Sequence, residues 1–327
     1  MATALVGLGS NLGDRNAALK RAIELLSKEP RIRVEAVSSF RQSKPAGGPE
    51  GQGAFLNAAA RLDTSLSPEE LLAKLLAMED QIGRVREERW GPRVIDLDLL
   101  LYGRVECKTP TLELPHPRMC YRRFVLEPAA EIAGEMVWPV NGWTVERLRH
   151  NLDSTPRYVA FSCVKEDFEK VVDSLIQITT CSVIHGWSHS DTLIETFGTR
   201  QWMEKAVSLQ RQRNAEALAS SARLSEKPWI VSDFWADFEF DEAECLLHAN
   251  ETCRDSETLG RLKEYRSLVQ QPRLVVVLDN RDPTLEIVRK RLDVLRRQPD
   301  SPPSLQLCMD DPRIARREVL AAMQAME

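Results

Sequence analysis

Apolar residues at helical spacing alternate with apolar residues at strand spacing over the first hundred positions of the chain. The helical spacing predicts a helix at about 15–27, with Asp14 as its N-cap, and a second helix from Ser67 to about Ile82. The SPEE sequence that begins at Ser67 is typical of a helix start, because it combines a capping hydroxyl, a proline at the first helical position and acidic residues in the first turn.

Four strands are predicted around these two helices. One precedes the first helix, two lie between the helices and one follows the second. The resulting βαββαβ order is typical of ferredoxin-like sandwiches, so we expect an α+β domain with an antiparallel sheet covered by helices. The predicted strands are 3–8, IRVEAVSSF at 32–40, AFLNAAARLD at 54–63 and VIDLDLLLY at 94–102.

The pattern changes beyond residue 150. Residues 103–150 predict a short extension of helix and strand that packs on the sheet, and Asn151–Arg157 resembles a linker. Strands and helices then alternate about five times, including helices at 199–222 and ending near residue 270. Because each parallel strand needs a crossover connection, this alternation predicts an α/β domain with a parallel sheet.

Composition narrows the class of protein. The chain has 327 residues, of which 43% are hydrophobic and 28% charged, and a formal net charge of -5. This length predicts two domains, and the interspersed charges argue against a non-specific nucleic-acid binder. The seven cysteines are never spaced CxxC, which argues against a disulfide framework and a zinc site. The first residues carry no signal-peptide pattern and no long apolar run follows, so we expect a cytoplasmic protein without a membrane partner.

The strand at 94–102 carries the clearest candidate chemistry. Asp96 and Asp98 are two residues apart, so both carboxylates project from one face, about 7 Å apart. Unpaired carboxylates on a half-buried sheet are costly unless a cation binds them, and two hard oxygen ligands suit Mg²⁺. The opposite face of this strand is predicted to carry the apolar residues Ile95, Leu97, Leu99 and Leu101.

Arginines precede and follow this strand, and their planar donors suit bidentate contacts with phosphate. The alternative is that Asp96 and Asp98 only pair with Arg89 and Arg93 on a solvated sheet face. The apolar strand and the number of flanking arginines favour a site for Mg²⁺ and phosphate. The arginines are Arg84, Arg86, Arg89, Arg93, Arg118, Arg122 and Arg123.

The glycine-rich stretch GLGSNLG at 7–13 lies between a predicted strand and a predicted helix, as dinucleotide-binding fingerprints do. Its spacing is GxGxxxG rather than GxGxxG, and the following elements are not βαβαβ. A tight strand-to-helix turn is therefore the favoured interpretation. The sequence also lacks GxxxxGK[ST], so any phosphate must be held by other residues.

Four stretches in this order resemble one family: GLGSNLGD, FLNAA, RWGPRVIDLDLLLY and LPHPRMCYRRFVLEPAAEIA. Together they closely resemble the 6-hydroxymethyl-7,8-dihydropterin pyrophosphokinases of the folate pathway, from about residue 3 to 150. The resemblance implies a domain at 1–152 with the ferredoxin-like fold already predicted. It also implies transfer of pyrophosphate from ATP to the pterin hydroxymethyl group, with release of AMP.

The resemblance also assigns site residues. Two Mg²⁺ ions would bind Asp96 and Asp98, with Arg86 and Arg93 as further catalytic groups. ATP contacts are implied for Glu79, Arg86, Arg89, Trp90, Arg93, His116 and Arg122. Contacts with the reduced pterin are implied for Ser43, Ala46, Phe55, Asn57 and Phe124, with the pterin stacked between the two phenylalanine rings.

Alternatives exist for some of these residues, since core packing is the usual fate of a phenylalanine and a histidine between prolines also suits a turn. Ser43 and Lys44 stand where many family members have Thr-Glu, and Leu76 occupies a position that can be a polar ATP contact. These departures bear on affinity rather than on the reaction.

Residues 157–327 resemble, more faintly, the P-loop deoxynucleoside kinases, through WIVSDFWADFEFDEAECLL and PRLVVVLDNRDPTLEIVRKR. Where that family has its phosphate loop, this chain reads AFSCVKEDFEK, whose acidic residues would repel phosphate. We therefore expect a kinase-like domain without a P-loop and without activity, used for homodimerisation or partner binding. An active deoxynucleoside kinase, and a scaffold that binds pterin and nucleotide without turnover, are the alternatives.

Overall fold

The computed structural model describes residues 1–49, 51–84, 91–155, 157–163, 165–179, 181–184, 229–233, 235, 271–279 and 286–327. Within it the chain forms two compact units, and each is described separately. Unit 1 comprises Met1–Ser154 together with Arg317–Glu327, and unit 2 comprises Thr155–Arg316. The predicted helices at 199–222 and before residue 270 lie outside the described residues.

Unit 1 contains an antiparallel sheet in the order β2-β4-β1-β5, with the short strand β3 paired to β4. Its elements are β1 (Ala2–Ser10), α1 (Arg15–Lys28), β2 (Ile32–Val37), β3 (Arg41–Ser43), β4 (Phe55–Thr64), α2 (Pro68–Ile82) and β5 (Asp96–Tyr102). Apart from β3, this is the predicted βαββαβ order, and the ferredoxin-like prediction is confirmed.

Both predicted helix starts are formed by side-chain caps. The carboxylate of Asp14 accepts a hydrogen bond from the backbone N–H of Ala17 at 2.9 Å. Ser67 and Glu70 form a reciprocal capping box in which each side chain accepts from the other residue's backbone N–H. Such caps satisfy amides that have no partner within the helix, and each typically contributes about 1 kcal/mol.

The core of unit 1 lies between the sheet and the two helices α1 and α2. Alternate residues of β1 and β4 enter it, and the leucines of both helices close it. Its fully buried members are Ala4, Val6, Leu19, Ala22, Leu26, Ala60, Leu62, Leu66, Leu71, Leu75 and Ile95. Since this apolar layer occupies one face of the sheet, the other face is left for α3 and for the candidate site.

A register shift alters the predicted faces of β5. Val6 pairs with Leu99, whereas the preceding residue Leu5 pairs with Leu101, so Leu100 is an extra residue in the strand. Beyond it Tyr102, rather than Leu101, packs against the core with Leu97 and Leu99. The prediction that Leu101 shares their face is therefore wrong. Asp96 and Asp98 precede the shift and keep their common face.

The extension after β5 combines a small hairpin with helices, as predicted. It contains β6 (Cys107–Lys108) paired with β7 (Glu113–Leu114), a 3₁₀ turn (Met119–Tyr121), α3 (Arg123–Ala133) and α4 (Val145–Ser154). Helix α3 packs on β1, β3 and β4, and α4 packs on α3. The predicted linker at Asn151–Arg157 is wrong in its first half, because Asn151–Ser154 forms the last turn of α4 with Leu152 buried.

Unit 2 contains a parallel sheet in the order β12-β11-β8-β10-β9, so the prediction of a parallel sheet is confirmed. Its described elements are β8 (Tyr158–Ser162), α5 (Lys165–Ile178), β9 (Cys181–Ile184), β10 (Trp229–Ser232), β11 (Leu274–Asp279), α6 (Glu286–Leu295) and β12 (Ser304–Cys308). The helix α7 (Pro312–Ala325) begins in unit 2, and its residues from Arg317 onward belong to unit 1. Among the described helices, none is both long and apolar enough to cross a membrane.

Candidate active site

The two aspartates of β5 lie beside positive groups, but in different ways. The two carboxylate oxygens of Asp96 lie 2.7 Å from Nη1 of Arg93 and 2.8 Å from Nη1 of Arg84. Oδ2 of Asp98 lies 3.8 Å from Nη1 of Arg122 and 3.9 Å from Nε2 of His116, which is too far for hydrogen bonds. Asp96 is thus ion-paired on both sides, whereas Asp98 faces positive groups across a gap.

Burial raises the pKa of Asp96, and the neighbouring charge of Asp98 raises it further, while Arg93 and Arg84 lower it. The nearby negative charge disfavours the ionised form of Asp96, and a positive group between the two carboxylates removes that cost. The arginines supply part of the positive charge. The pairing of Asp96 with Arg93 agrees with the structural alternative raised from the sequence, whereas Asp98 is open toward the cavity described below.

Glu79, on α2, contacts both the strand β5 and one of the arginines beside Asp96. Its side chain is 1% exposed, and Oε1 accepts a hydrogen bond from the backbone N–H of Leu97 at 2.7 Å and an ion pair from Arg84. Burial raises the pKa of Glu79, while the Leu97 amide and Arg84 lower it. Glu79 therefore holds both the strand between the two aspartates and one of the arginines on Asp96.

His116 follows the cis peptide bond between Leu114 and Pro115. Its Nδ1 accepts a hydrogen bond from the backbone N–H of Arg118 at 3.1 Å, so the proton of the neutral ring is on Nε2, the nitrogen that faces Asp98. Burial lowers the pKa of His116 to about 3, and Arg122 and Arg118 lower it as well. The ring is thus a neutral donor whose N–H faces Asp98.

Cavity A, of about 190 Å³, opens beside Asp96 and Asp98 on the face of the sheet away from the core. All five residues predicted to contact the pterin line it, so the structure brings that group together as the sequence indicated. Arg93, His116 and Arg122 also line it. The five residues are Ser43, Ala46, Phe55, Asn57 and Phe124.

Asn57 is a buried polar group of cavity A, at 5% exposure. Its Nδ2 donates to Oγ of Ser43 at 2.9 Å, and its Oδ1 lies on the side of Gly9. The Arg122 guanidinium lies over the ring of Phe124, 5.6 Å from the centroid. An amide held by a second side chain, between aromatic walls, suits a flat polar heterocycle.

Sequence reasoning missed the role of the first glycines. Gly7 and Gly9 lie within β1 and line cavity A, rather than forming the strand-to-helix turn. A Cβ on Gly9 would approach Asn57, Asp96 and Phe55 to 3.6–3.9 Å and so fill part of the cavity. Gly13, with φ +67°, is the glycine that the turn requires. Gly7 and Gly9 alternate along β1 with residues of the core. This period of two is the sequence signal that places them on the face of the sheet away from the core.

Cavity B, of about 1120 Å³, lies on the other side of the aspartates. Glu79, Arg84 and Leu76 line it, together with residues of the hairpin such as Leu112 and Glu113. Cavities A and B share Arg93, Asp96, Asp98 and His116 as common walls. The two cavities therefore meet at the carboxylates.

Asn11 is a further residue that sequence reasoning missed. Its Oδ1 accepts from the backbone N–H of Arg93 at 2.8 Å, and its Nδ2 donates to Oε1 of Gln52 at 3.1 Å. The side chain is buried at the end of β1. Asn11 thus links the glycine-rich loop around Gln52 to the start of the segment that carries Arg93.

Three predicted site residues, Arg86, Arg89 and Trp90, lie outside the described residues. In the part of the chain that the structure describes, no group of three or more His, Cys, Asp or Glu side chains is placed to hold a metal ion. The pair of Asp96 and Asp98 supplies two carboxylates, which is the usual protein contribution to a Mg²⁺ site completed by substrate phosphates.

Comparison with known proteins agrees with this geometry. The family model described as 7,8-dihydro-6-hydroxymethylpterin-pyrophosphokinase (HPPK) matches residues 5–134. A 2-amino-4-hydroxy-6-hydroxymethyldihydropteridine pyrophosphokinase of Methylorubrum extorquens is 46% identical over 47% of this chain and 95% of its own. Those of Synechocystis and Bacillus subtilis are 45% and 47% identical, over 46% and 41% of this chain and 77% and 79% of their own.

A solved structure of Plasmodium falciparum HPPK-DHPS aligns with 99% of this chain and 77% of that chain at 13% identity, with a TM-score of 0.36. The relatives above match at more than 40% identity and are largely covered by this chain. The chain therefore belongs to the 7,8-dihydro-6-hydroxymethylpterin-pyrophosphokinase family.

Proposed function

We propose that unit 1 transfers the pyrophosphoryl group of ATP to the hydroxymethyl group of 6-hydroxymethyl-7,8-dihydropterin and releases AMP, a reaction of folate biosynthesis. The observation that carries the proposal is the meeting of cavities A and B at Arg93, Asp96, Asp98 and His116. Transfer between two bound substrates requires that both reacting groups reach one point, and such positioning supplies much of the catalysis in phosphoryl transfer.

In this reaction the pterin hydroxyl oxygen forms a bond to the β-phosphorus of ATP. The bond from that phosphorus to the oxygen bridging the α-phosphorus breaks, the bridging oxygen leaves with AMP, and the hydroxyl proton passes to solvent. Negative charge shifts toward the bridging oxygen as this bond breaks. Arg93, Arg122 and the Nε2–H of His116 are the donors that would stabilise this charge.

Cavity A would hold the pterin. Oδ1 of Asn57 would accept from the pterin amide edge, and the rings of Phe55 and Phe124 would stack on its two faces. The side-chain-free positions Gly7 and Gly9 leave room for a flat ligand against β1. Cavity B would hold ATP, with the predicted contacts of Arg86, Arg89 and Trp90 added to those of Arg93 and His116.

Asp96 and Asp98 are proposed to hold two Mg²⁺ ions together with the phosphates of ATP. Two observations support a Mg²⁺ site here. The aspartates supply hard oxygen donors from one strand and line both cavities, and positive groups already lie beside their carboxylates. When bound, Mg²⁺ would neutralise charge on the triphosphate and orient it for in-line attack. Arg84 and Arg93 balance Asp96 on its protein side.

The proposal is tested by incubating the full chain with ATP, Mg²⁺ and the reduced pterin and identifying the nucleotide released. AMP formed together with the pterin diphosphate is the expected outcome. Calorimetric binding of both ligands without AMP formation would instead favour the scaffold alternative. Release of ADP would contradict pyrophosphoryl transfer.

For unit 2 we propose a kinase-like domain without phosphotransfer activity. Strand β8 ends at Ser162 and α5 begins at Lys165, so two residues connect them, too few for a loop that wraps around phosphates. Burial raises the pKa of the Cys163 thiol, which follows β8, and the carboxylates of Asp167 and Asp233 raise it further. The same carboxylates would repel a phosphate bound at this position. Formation of a deoxynucleoside monophosphate and ADP would refute this proposal.

Homodimerisation through the C-terminal half and a cytoplasmic location stay predictions. Gel filtration with light scattering of the purified chain tests the first. A mass of two chains is expected if unit 2 serves dimerisation, and a mass of one chain would leave partner binding as its role.

A further inference from the structure

The last eleven residues of the chain, segment 317–327, belong to unit 1 rather than to unit 2. The match to the family model ends at residue 134, so this segment lies outside the part of the chain that the family model describes. Val319, Ala322, Met323 and Met326 are almost fully buried, at 0–2% exposure. Buried apolar residues at this spacing fix one side of a helix against the domain, so the segment is a packed part of unit 1.

The segment is attached to cavity A through an ion pair. Nε and Nη2 of Arg118 donate to the two carboxylate oxygens of Glu318 at 3.0 and 2.8 Å, and the Glu318 side chain is 4% exposed. Both residues line cavity A. A bidentate pair of this kind fixes the orientation of the guanidinium as well as its position. Glu318 therefore determines where Arg118 stands beside the cavity.

Two further hydrogen bonds hold the segment at the rim of cavity A. The backbone N–H of Gly47, in the loop that follows Ser43, donates to Oε1 of Gln324 at 2.9 Å. Arg123, the first residue of α3, donates to the backbone carbonyl of Met326 at 3.3 Å. The segment thus connects the two elements that carry predicted pterin contacts, the loop with Ala46 and the helix with Phe124.

Between these attachments, Ala321 and Ala325 also line cavity A. Glu318, Ala321 and Ala325 are spaced at i, i+3 and i+7, so one face of α7 is presented to the cavity. Alanine is the smallest side chain with a Cβ, and at these positions it leaves the cavity open. A longer apolar side chain at either position would enter the space beside Phe124.

We infer that segment 317–327 forms a wall of the pterin site, with Ala321 and Ala325 as specificity-determining residues and Glu318 as a positioning residue for Arg118. This inference rests on the proposed function of cavity A. It gives a role in the site to a segment outside the residues that the family model matches: the segment limits the size of the pterin substituents that cavity A accepts.

The test uses the full chain with Ala321→Leu. The added side chain should raise KM for the reduced pterin about tenfold or more. The leucine would occupy space that the pterin fills, and overpacking of a formed cavity typically weakens binding by a factor of this order. KM for ATP should stay within about twofold, since Ala321 does not line cavity B. The matched control is Arg317→Leu, which places the same side chain on the exposed face of the same helix.

Glu318→Gln separates positioning from structure. It keeps the shape and one hydrogen bond to Arg118 but removes the charge, so KM for the pterin should rise while KM for ATP does not. If Glu318 had only a structural role, Glu318→Gln would lower the thermal stability without altering the ratio of KM for the pterin to KM for ATP. Equal changes in both KM values, or none in Ala321→Leu, would overturn the inference.

Amide hydrogen exchange of the unmodified chain provides a test that does not depend on a variant folding. Adding the reduced pterin should slow exchange in 317–327 as it does in 43–57. Protection confined to 43–57 would contradict the inference that segment 317–327 forms a wall of the pterin site. Failure of the unmodified chain to release AMP would count against the proposed function alone, because pterin binding and protection can still be measured.

Discussion

Nη1 of Arg93 donates to Oδ2 of Asp96 at 2.7 Å, at the point where cavities A and B meet. Arg84 pairs with the other oxygen of the same carboxylate. Asp98, two residues along β5, has no such short pair among the described residues and faces Arg122 and His116 across about 4 Å. The two aspartates are therefore unequal: one is anchored in the protein, and the other is directed to the cavities.

The first prediction concerns these carboxylates. Asp96→Asn and Asp98→Asn should each lower kcat at least about 100-fold, because each removes an oxygen ligand and a negative charge from the proposed Mg²⁺ site. Steady-state AMP formation at varied Mg²⁺ measures the effect. Asp63→Asn is the control, since this carboxylate lies on the same sheet and pairs with Arg33 at the surface. Full activity in either Asp96 or Asp98 variant would contradict the metal assignment.

The second prediction concerns Asn57. Asn57→Ala should raise KM for the reduced pterin about tenfold and leave KM for ATP unchanged, because an amide edge left without its buried partner costs about 1–3 kcal/mol. Kinetics with each substrate varied in turn measure this. Gln42→Ala removes an amide from an exposed position of the neighbouring strand β3 and should have no effect. Equal increases for both substrates would show that Asn57 does not contact the pterin.

Much of this arrangement can be predicted from the sequence because it depends on local rules. Asp14 and Ser67 cap the helices as predicted, since a cap is decided by residues within one turn. Asp96 and Asp98 share a face because strand side chains alternate. The glycines of β1 that line cavity A follow the same alternation, although the sequence pattern around them favours a turn.

Features that depend on distant pairing could not be predicted in this way. The extra residue at Leu100 is set by the register of β5 with β1. The run of three leucines at 99–101 has no periodicity that would reveal it. The turn at Asn151–Ser154 is polar in sequence, yet Leu148 and Leu152 continue the buried face of α4. The ion pair of Arg118 with Glu318 joins residues 200 positions apart, beyond any local pattern.

The third prediction concerns the protonation of His116. Because its pKa is lowered to about 3 in the folded chain from about 6.5 in the unfolded chain, the unfolded chain takes up a proton first as the pH falls. His116 therefore contributes stability that is fully present above pH 6.5 and is lost between about pH 6.5 and 3, by about 1.4 kcal/mol per pH unit. His116→Gln should lack this pH-dependent contribution to the free energy of unfolding.

Nitrogen-15 NMR of labelled histidine provides the direct measurement for His116, with His116→Gln to assign its signals. The ring should stay neutral down to below pH 4, with its proton on Nε2. A titration midpoint near 6.5 would show that the ring is exposed to solvent and is not the neutral donor described.

The fourth prediction concerns Glu79. Glu79→Gln keeps an oxygen for the Leu97 amide but breaks the buried ion pair with Arg84, so the free energy of unfolding should fall by about 3 kcal/mol. Urea denaturation measures it. Glu24→Gln is the control, because Glu24 forms its ion pairs on the exposed face of α1, and stability should hardly change. Equal stabilities of the Glu79 and Glu24 variants would contradict a structural role for Glu79.

The central claim, that cavities A and B bring the pterin hydroxyl to the β-phosphorus of ATP at Asp96 and Asp98, is tested most directly with ATP labelled on its β- and γ-phosphorus. The full chain, given Mg²⁺ and the reduced pterin, should move both labels to the pterin and leave unlabelled AMP. Retention of the β-label in a nucleoside diphosphate, with only the γ-label moved, would contradict the claim.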